Sequence, residues 1–200
     1  MKRFIWFASV VLFSLTAGLI SAADQSASQI PPNMVVQNLP SIPDDVINRM
    51  NQYLEVRTAS FSDWDPNGEG ILISTRFGET NQLFYVDHPG GARRQLTFYK
   101  EPVYSGSFCT APGKNGFMFS RDVGGGEFYQ LYYFDVKTGK ERLLTDGKSR
   151  NAGRTWSNDG TRYAYTSTAR NGKDHDIWLA EIDTPGSAKL VYESRGAWSP

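Results

Sequence analysis

One short sequence recurs along this chain and constrains its fold more than any other feature. Residues 156–160 read Trp-Ser-Asn-Asp-Gly and lead into an alternating run, 162–165, while residues 64–68 read Trp-Asp-Pro-Asn-Gly before another apolar run. A divergent copy starts at Cys109, and a fourth copy starts at Trp198. The copies begin at intervals of 45, 47 and 42 residues. A period of roughly 40–50 residues made of short strands and turns is typical of β-propeller blades.

Each copy also contains a second apolar run that ends on an acidic residue and enters a glycine-containing turn. The runs and their acids are 83–86 with Asp87, 131–134 with Asp135, and 177–180 with Glu181. The copies close on Leu96-Thr97, Leu144-Thr145 and Leu190-Val191. Such runs between turns read as hairpin-linked strands. The predicted fold class is therefore an all-β propeller of four-stranded blades with about three blades present, at roughly 58–102, 103–150 and 151–195, and with a fourth begun.

Residues 1–23 have the pattern of a secretory signal peptide. Lys2 and Arg3 precede a mostly apolar stretch, 4–20, and the small residues 21–23 predict cleavage before Asp24. An uncleaved membrane anchor is the alternative, because the apolar stretch approaches the length that spans a bilayer. We expect a periplasmic or secreted protein that has no membrane contact once the segment is cleaved.

Residues 24–57 form a predicted lead-in to the partial propeller of residues 58–200. A proline-rich stretch is followed by Pro43-Asp44-Asp45, which favours a helix start because acidic residues stabilise a first turn. Apolar residues then recur on one predicted helix face at Val46, Ile47, Met50, Tyr53 and Leu54. We expect this helix to pack on the propeller or on whatever follows it.

The charge balance argues against two classes of partner. The chain has 21 basic and 21 acidic residues, which are scattered and give no net charge. A nucleic-acid-binding or anionic-membrane-binding surface normally needs a basic patch. No nucleic-acid partner is therefore predicted.

Four groups of residues have the chemistry of possible reactive sites. Cys109, the single cysteine, could be a nucleophile or form an intermolecular disulfide. It occupies the repeat position of Trp64 and Trp156, so we predict that it is a buried apolar residue. We expect the two tryptophans to pack between blades. His88 lies in a turn and is predicted to be a surface residue. In residues 174–176, Asp-His-Asp, alternation places the two aspartates on one strand face and the histidine on the other, so a polar strand start is favoured over a metal site.

Ser149 completes this set. It lies in residues 147–151, Gly-Lys-Ser-Arg-Asn, which lack the final glycine of a nucleophile elbow and follow a closing strand. We predict an inter-blade turn here. No catalytic, cofactor-binding or metal-binding residue is predicted anywhere in the chain, and no cofactor.

The glycine-rich stretch 121–131 is the most distinctive local feature. It reads as a long flexible hairpin between the second and third strands of blade two, in which Asp122 and Glu127 could fix the loop to neighbouring backbone. The functional alternative is a loop at a ring face that contacts a substrate or a partner domain.

Three blades and the start of a fourth cannot close a ring of four to eight blades, and open blade faces need neighbours. The sequence therefore predicts the N-terminal part of a longer protein.

Several stretches resemble known families. The repeats of the type in 156–160, closing on Leu-Thr, look like TolB-type propeller repeats. A longer resemblance covers most of 30–200 and is to exported bacterial serine peptidases of the prolyl oligopeptidase family, near their dipeptidyl-aminopeptidase and acylaminoacyl-peptidase branch. It rests on the following stretches: Ile42 to Phe61, Gly90 to Thr97, Ser120 to Leu131 and Leu144 to Asn151.

The resemblance implies a seven-bladed propeller that restricts access of short peptides to a C-terminal α/β-hydrolase domain carrying a Ser-Asp-His triad. That domain and the remaining blades would be the partners of this chain, which alone should be inactive. A non-catalytic, TolB-like periplasmic propeller that binds proteins is the alternative, because a fold does not by itself reveal function. A propeller-based polysaccharide lyase is a third, weaker reading.

Overall fold

The computed structural model describes residues 34–68 and 70–196, so the predicted signal segment and Trp198 lie outside the described residues. The chain divides into two compact units, 1–53 and 54–200. The predicted helix is present as α1 (Asp44–Leu54), with both aspartates in its first turn. None of its residues is buried, and the five apolar residues of its predicted face are 39% to 69% exposed. The helix therefore carries an exposed apolar face.

The second unit contains three four-stranded antiparallel sheets, in which consecutive strands are neighbours. Blade one consists of β1 (Ala59–Trp64), β2 (Ile71–Thr75), β3 (Gln82–Val86) and β4 (Arg94–Gln95). Blade two consists of β5 (Gly106–Phe108), β6 (Gly116–Arg121), β7 (Gln130–Asp135) and β8 (Glu141–Leu143). Blade three consists of β9 (Asn151–Trp156), β10 (Arg162–Ser167), β11 (Asp176–Glu181) and β12 (Lys189–Tyr192). This confirms a partial propeller of three four-stranded blades.

The strand register corrects one alignment made from the sequence. Trp64 pairs with Ile71 and Trp156 with Tyr163, and the residue at the same place in blade two is Phe108, which pairs with Phe117. Cys109 is one position further on and begins the turn, where its amide donates to the Gly116 carbonyl at 2.9 Å. The turn between the first and second strands of blade two is two residues longer than the corresponding turns of the other blades. The repeat length therefore did not reveal that Phe108, and not Cys109, is the equivalent of the two tryptophans.

Each blade has two sides, because residues directly opposite each other in adjacent strands share a side. We call side A the side that carries Trp64, Phe108 and Trp156, and side B the other. Side B of blade one packs on side A of blade two in a core that includes Leu72, Leu83, Phe117 and Phe119. A second core joins side B of blade two to side A of blade three through residues that include Met118, Tyr133, Tyr163 and Tyr165.

The first strands of neighbouring blades are also joined by side-chain hydrogen bonds. The Ser62 hydroxyl donates to the Gly106 carbonyl at 2.9 Å, and an Asp63 carboxylate oxygen accepts from the Phe108 amide at 2.7 Å. From blade three, the indole Nε1 of Trp156 donates to the Ser107 carbonyl at 3.1 Å. The Arg154 guanidinium donates to the carbonyl and the hydroxyl of Ser105, both at 2.8 Å. These bonds fix the blades relative to one another along their first strands.

The prediction that both tryptophans lie between blades holds for one of them. Trp156 is half-buried against the core between blades two and three. Trp64 is 67% exposed and contacts the ring of Phe61, itself 55% exposed, with 5.3 Å between centroids. The prediction for Trp64 is wrong because, within residues 34–68 and 70–196, no other blade covers side A of blade one.

Candidate interaction face

The loops that join second to third strands and the segments that join successive blades share one end of the sheets. Antiparallel order requires this, since β2 and β4 end on the same side of a four-stranded meander. We call this end the connector face. Its loops are 76–81, 122–129 and 168–175, and its blade-to-blade segments are 96–105 and 144–150.

A buried polar residue at the start of each third strand holds the connector face together. In blade two, Gln130 donates to the Ser149 carbonyl at 2.7 Å and accepts from the Thr145 hydroxyl at 2.7 Å and from the Gly147 amide at 3.0 Å. In blade one, Gln82 donates to the carbonyls of Tyr99 and Glu101, both at 3.0 Å. Each glutamine thereby fixes the segment that leads to the next blade. Sequence reasoning missed these anchors, although one polar residue opens the second apolar run in every copy.

In blade three an acidic residue takes the place of the glutamine. Asp176 is fully buried, accepts from the Ser194 amide at 2.8 Å and pairs with Arg170, whose Nε lies 2.7 Å from its carboxylate. The hydrogen bond from Arg170 is the main cause that holds the pKa of Asp176 below its usual value. Arg170 also contacts Asp174 at 3.2 Å, so both aspartates bind one arginine. β11 begins at Asp176, which agrees with the predicted polar strand start. His175, which lies between the two aspartates in the sequence, is buried, with 6% of its surface exposed.

The glycine-rich stretch connects β6 to β7, which confirms the predicted hairpin of blade two. An Asp122 carboxylate oxygen accepts from the Glu127 amide at 3.1 Å, and Glu101 from the preceding connector accepts from the Gly124 amide at 3.2 Å. Gly124 and Gly125 have φ values of 70° and 73°, a region that L side chains rarely adopt. The loop is thus fixed at its base by Asp122, as predicted, while its tip remains exposed.

This loop presents apolar side chains to solvent. Val123 is 70% exposed and Phe128 is 51% exposed, and the Arg150 guanidinium lies 5.1 Å from the centroid of the Phe128 ring. Tyr104, 61% exposed, lies near Tyr129 and contributes to its raised pKa, of which burial is the main cause. We call Tyr104, Val123, Phe128 and Tyr129 the loop patch. Val123 and Phe128 are exposed apolar groups of one loop, and exposed apolar groups concentrated in one region are typical of binding surfaces.

Ser149 lies in the turn between β8 and β9, as predicted, and its hydroxyl donates to Asp146. The Ser149 amide also donates to Asp146, at 2.9 Å. Burial acts to raise the pKa of Asp146, but the hydrogen bonds from Ser149 and the contributions of Lys148 together outweigh it, and the pKa is lowered. The carboxylate therefore serves to close the turn.

The remaining candidates from the sequence are separated in the fold. Cys109 is 1% exposed and its thiol contacts the Gly160 carbonyl at 3.3 Å, which confirms the buried role; burial raises its pKa. His88 is a surface residue, as predicted, with Nδ1 2.8 Å from Asp87. Within residues 34–68 and 70–196, no group of three or more His, Cys, Asp or Glu side chains could hold a metal ion. No helix in the same ranges is long and apolar enough to cross a membrane.

A groove of about 430 Å³ lies at the outer edge between blades one and two and is lined by Thr97, Phe98, Tyr99 and Glu141, among others. Behind it the Arg121 guanidinium lies between two tyrosine rings, 4.3 Å from the centroid of Tyr99 and 4.6 Å from that of Tyr132. Tyr99 donates to Glu141, and its pKa is raised chiefly by burial. Cation–π contacts of this kind stabilise the junction between the blades.

Comparison with known sequences gives a match to a protein of uncharacterized function. The chain matches no protein-family model. It is 27% identical over 139 residues to an uncharacterized protein of Agrobacterium fabrum, covering 68% of this chain and 44% of that protein.

Solved structures are similar at low sequence identity. A candidate TolB of Agrobacterium tumefaciens matches with a TM-score of 0.53 at 15% identity, over 70% of this chain and 52% of the other. Oligogalacturonate lyase of Vibrio parahaemolyticus matches with a TM-score of 0.53 at 16% identity, over 68% of this chain and 39% of the other. Dipeptidyl peptidase 4 of Porphyromonas gingivalis matches with a TM-score of 0.52 at 14% identity, over 68% of this chain and 18% of the other. The chain thus spans about half or less of the proteins that it matches, and what these likenesses establish is the propeller fold.

Proposed function

We propose that this chain is the non-catalytic propeller part of an exported protein and that its connector face binds a polypeptide through the loop patch. The observation that carries the proposal is that the backbone of the loop 122–129 is held in place while two of its apolar side chains are exposed. Asp122, Glu101 and Gln130 hold the loop backbone with hydrogen bonds. The side chains of Val123 and Phe128 remain exposed. Preorganised apolar anchors lower the entropic cost of binding.

The first candidate for the whole protein is a serine peptidase of the prolyl oligopeptidase family, in which the propeller controls which short peptides reach a C-terminal hydrolase domain. Two observations support it. The stretches between 30 and 200 resemble that family, and the fold is similar to that of dipeptidyl peptidase 4. The resemblance extends to the glycine-rich loop itself, where a substrate or a catalytic domain would meet the loop patch.

The second candidate is a TolB-like propeller that binds proteins of the cell envelope and carries no catalytic domain. A specific observation favours it. The 139 matched residues are 44% of the Agrobacterium fabrum protein, which is therefore about 316 residues long. At roughly 45 residues a blade, six blades take about 270 residues, which leaves no room for a separate hydrolase domain. Export in both cases rests on residues 1–23.

The experiment that separates the candidates uses the protein encoded by the complete gene. A fluorophosphonate probe labels an activated serine, and labelling that is lost after heat denaturation, together with hydrolysis of short peptide substrates, is expected for the peptidase. Absence of labelling and of hydrolysis in a folded protein would reject the peptidase and leave the binding propeller.

A double variant, Val123→Ser with Phe128→Ser, tests the loop patch in the same protein. In a peptidase it should raise KM for peptides and leave hydrolysis of a small ester unchanged, because the ester does not reach the patch. Phe98→Ser is the matched control, since Phe98 is 75% exposed but lies outside the loop patch. Equal effects of both variants would contradict a role for the loop patch.

A further inference from the structure

The junction between blades one and two is filled at its outer edge by large polar side chains. The Arg121 guanidinium lies 4.3 Å from the centroid of the Tyr99 ring and 4.6 Å from that of Tyr132. The Tyr99 hydroxyl donates to Glu141, and the Arg121 guanidinium lies 3.8 Å from the same carboxylate. A planar cation between two aromatic rings, beside a carboxylate, is therefore part of this junction.

The strand register shows that the junction between blades two and three lacks two of these side chains. Ser167 stands in the place of Arg121, since each pairs with the first residue of its third strand. Gly147 stands in the place of Tyr99, since the amide of each donates to the anchoring glutamine of the preceding third strand, at 3.0 Å and 3.2 Å. A hydroxymethyl group and a hydrogen atom thus replace a guanidinium and a phenol.

The carboxylate is missing as well, but one aromatic ring is kept. Ala188 stands in the place of Glu141, because each comes directly before the fourth-strand residue that pairs with the fourth residue of the third strand. Trp178 stands in the place of Tyr132 as the third residue of the third strand. The second junction therefore retains a ring and has lost the groups that pack around it in the first.

A cavity of about 280 Å³ occupies the space that these side chains leave. It lies between β8 of blade two and side A of blade three, and Ser167, Trp178 and Ala188 are among the residues that line it. Its volume is near the lower end of the roughly 300–1,000 Å³ usual for ligand sites. Both blades that form it have all four strands, so its walls come from a junction that the chain itself makes.

The polar groups around the cavity favour a cation that donates hydrogen bonds. Two carboxylates, Asp146 and Glu181, line it against one guanidinium, that of Arg142. Asn151 also lines it and is 2% exposed. The amide nitrogen of Asn151 donates to two backbone carbonyls at 2.8 Å and 2.9 Å, but its Oδ1 has no hydrogen-bond partner within residues 34–68 and 70–196. A buried acceptor without a donor is costly, so a bound donor is favoured.

Trp178 presents two different features to a ligand. Its ring suits a guanidinium, because tryptophan is the strongest aromatic partner of a cation and arginine stacks on aromatic faces. Its indole Nε1 is a buried donor that also has no partner in the part of the chain that the structure describes. A guanidinium has no acceptor to offer, whereas the backbone carbonyls of an arginine residue have.

We propose that the cavity between blades two and three binds an arginine side chain of a polypeptide partner, with the guanidinium against the Trp178 ring as that of Arg121 lies against Tyr132. The first junction supplies this cation from its own chain, and the second takes it from the partner. The site is separate from the loop patch, and the inference does not rest on the proposed function.

Isothermal titration calorimetry with the protein encoded by the complete gene tests the proposal. N-acetylarginine amide is expected to bind. N-acetylcitrulline amide, which has the same shape but no charge, should bind about tenfold or more weakly, because the cation–π contact and the attraction of the carboxylates are lost. Propylguanidinium, the side chain alone, should also bind more weakly than the arginine amide. Equal or tighter binding of propylguanidinium would overturn the assignment to a residue of a polypeptide.

Variants of two lining residues locate the binding site. Ser167→Arg supplies the guanidinium from the chain itself and should weaken binding of the arginine amide about tenfold or more. Trp178→Ala should weaken it by about the same factor, whereas Trp178→Tyr, which introduces the ring of blade two, should stay within about threefold of the wild type. Tyr192→Ala is the matched control, since Tyr192 is an aromatic residue of the same sheet that is 58% exposed and does not line the cavity.

Circular dichroism checks that each variant is folded, and the substitutions at Ser167 and Trp178 act independently if one of them does not fold. Three results would overturn the proposal. Failure of the arginine amide to bind the folded protein would mean that the cavity does not take this group. Equal binding of the arginine and citrulline amides would mean that the charge is not recognised. Binding that is unchanged in both Ser167→Arg and Trp178→Ala would place the ligand outside the cavity.

Discussion

Trp64 and Trp156 hold the same register position in two blades but have different surroundings. The indole of Trp156 is half-buried, contacts the Tyr163 ring edge-on at 6.0 Å between centroids and donates to the Ser107 carbonyl. Trp64 is exposed and contacts only Phe61 among the aromatic rings described. The same residue type therefore contributes differently to stability.

We expect Trp156→Ala to lower the free energy of unfolding by about 2 kcal/mol, less than the 3–5 kcal/mol typical of a fully buried tryptophan. Trp64→Ala, the matched control, should change it by no more than about 0.5 kcal/mol in dilute solution, as exposed substitutions usually do. Urea unfolding followed by circular dichroism measures both. Equal losses would mean that Trp64 is buried by a contact that the structure does not describe.

The ion pair of Asp176 and Arg170 gives a prediction that depends on pH. The folded-state pKa of Asp176 lies below its unfolded value, so its contribution to stability is present at neutral pH and is lost as the pH falls through the folded pKa. We expect Asp176→Asn to be about 2 kcal/mol less stable than the wild type at pH 7, because a charge-assisted hydrogen bond to a buried carboxylate is lost.

The difference should shrink as the pH falls below about 4, because the carboxylate of the unfolded chain takes up a proton there, whereas the folded one does so only at lower pH. Urea unfolding at a series of pH values follows it, and a difference that stays constant down to pH 2 would contradict the assignment. Asp174→Asn is the control, since Asp174 is only partly buried and contacts the same arginine at the longer distance of 3.2 Å.

At the scale of the elements, the turns between first and second strands contact the neighbouring blade through backbone. Gly160, in the turn between β9 and β10, has φ of 68°, and a Cβ built there would lie 2.2 Å from the Ala111 nitrogen in the turn of blade two. The Gly160 carbonyl also contacts the buried Cys109 thiol. A side chain at this position would push two blades apart.

Gly160→Ala should therefore lower the free energy of unfolding by about 3 kcal/mol, of which about 1 kcal/mol comes from the left-handed backbone and the remainder from the clash. Gly172→Ala separates the two causes, because Gly172 has φ of 74° but faces open space. We expect that control to lose about 1 kcal/mol only. Thermal unfolding of both variants provides the comparison, and similar losses would show that the turn can move away from blade two.

The elements also show how far the sequence could be interpreted. The strands, the helix and the hairpin at 122–129 followed from periodicity and turn residues, which are local properties. The offset between Phe108 and Cys109 could not be seen, because a turn two residues longer keeps a similar repeat length while it changes which side each residue occupies. The recurring polar residue at the start of each third strand was visible, but the partners of Gln130 in residues 144–150 depend on which segments meet in space, and the periodicity of a single sequence does not contain that information.

At the scale of the whole molecule, the three blades differ in how many neighbours cover them. Both sides of blade two are buried in apolar cores, one shared with blade one and one with blade three. Side A of blade one and side B of blade three have no such partner within residues 34–68 and 70–196. Stability in repeated architectures is approximately the sum of blade and junction contributions, so it should be greatest in the middle.

Hydrogen exchange followed by mass spectrometry should show this order directly. In dilute solution, the amides of β6 and β7 should exchange more slowly than those of β2, β3, β10 and β11, because opening blade two breaks two junctions and opening either outer blade breaks one. Uniform strong protection in a dilute monomer would mean that the three blades form one cooperative unit without further neighbours.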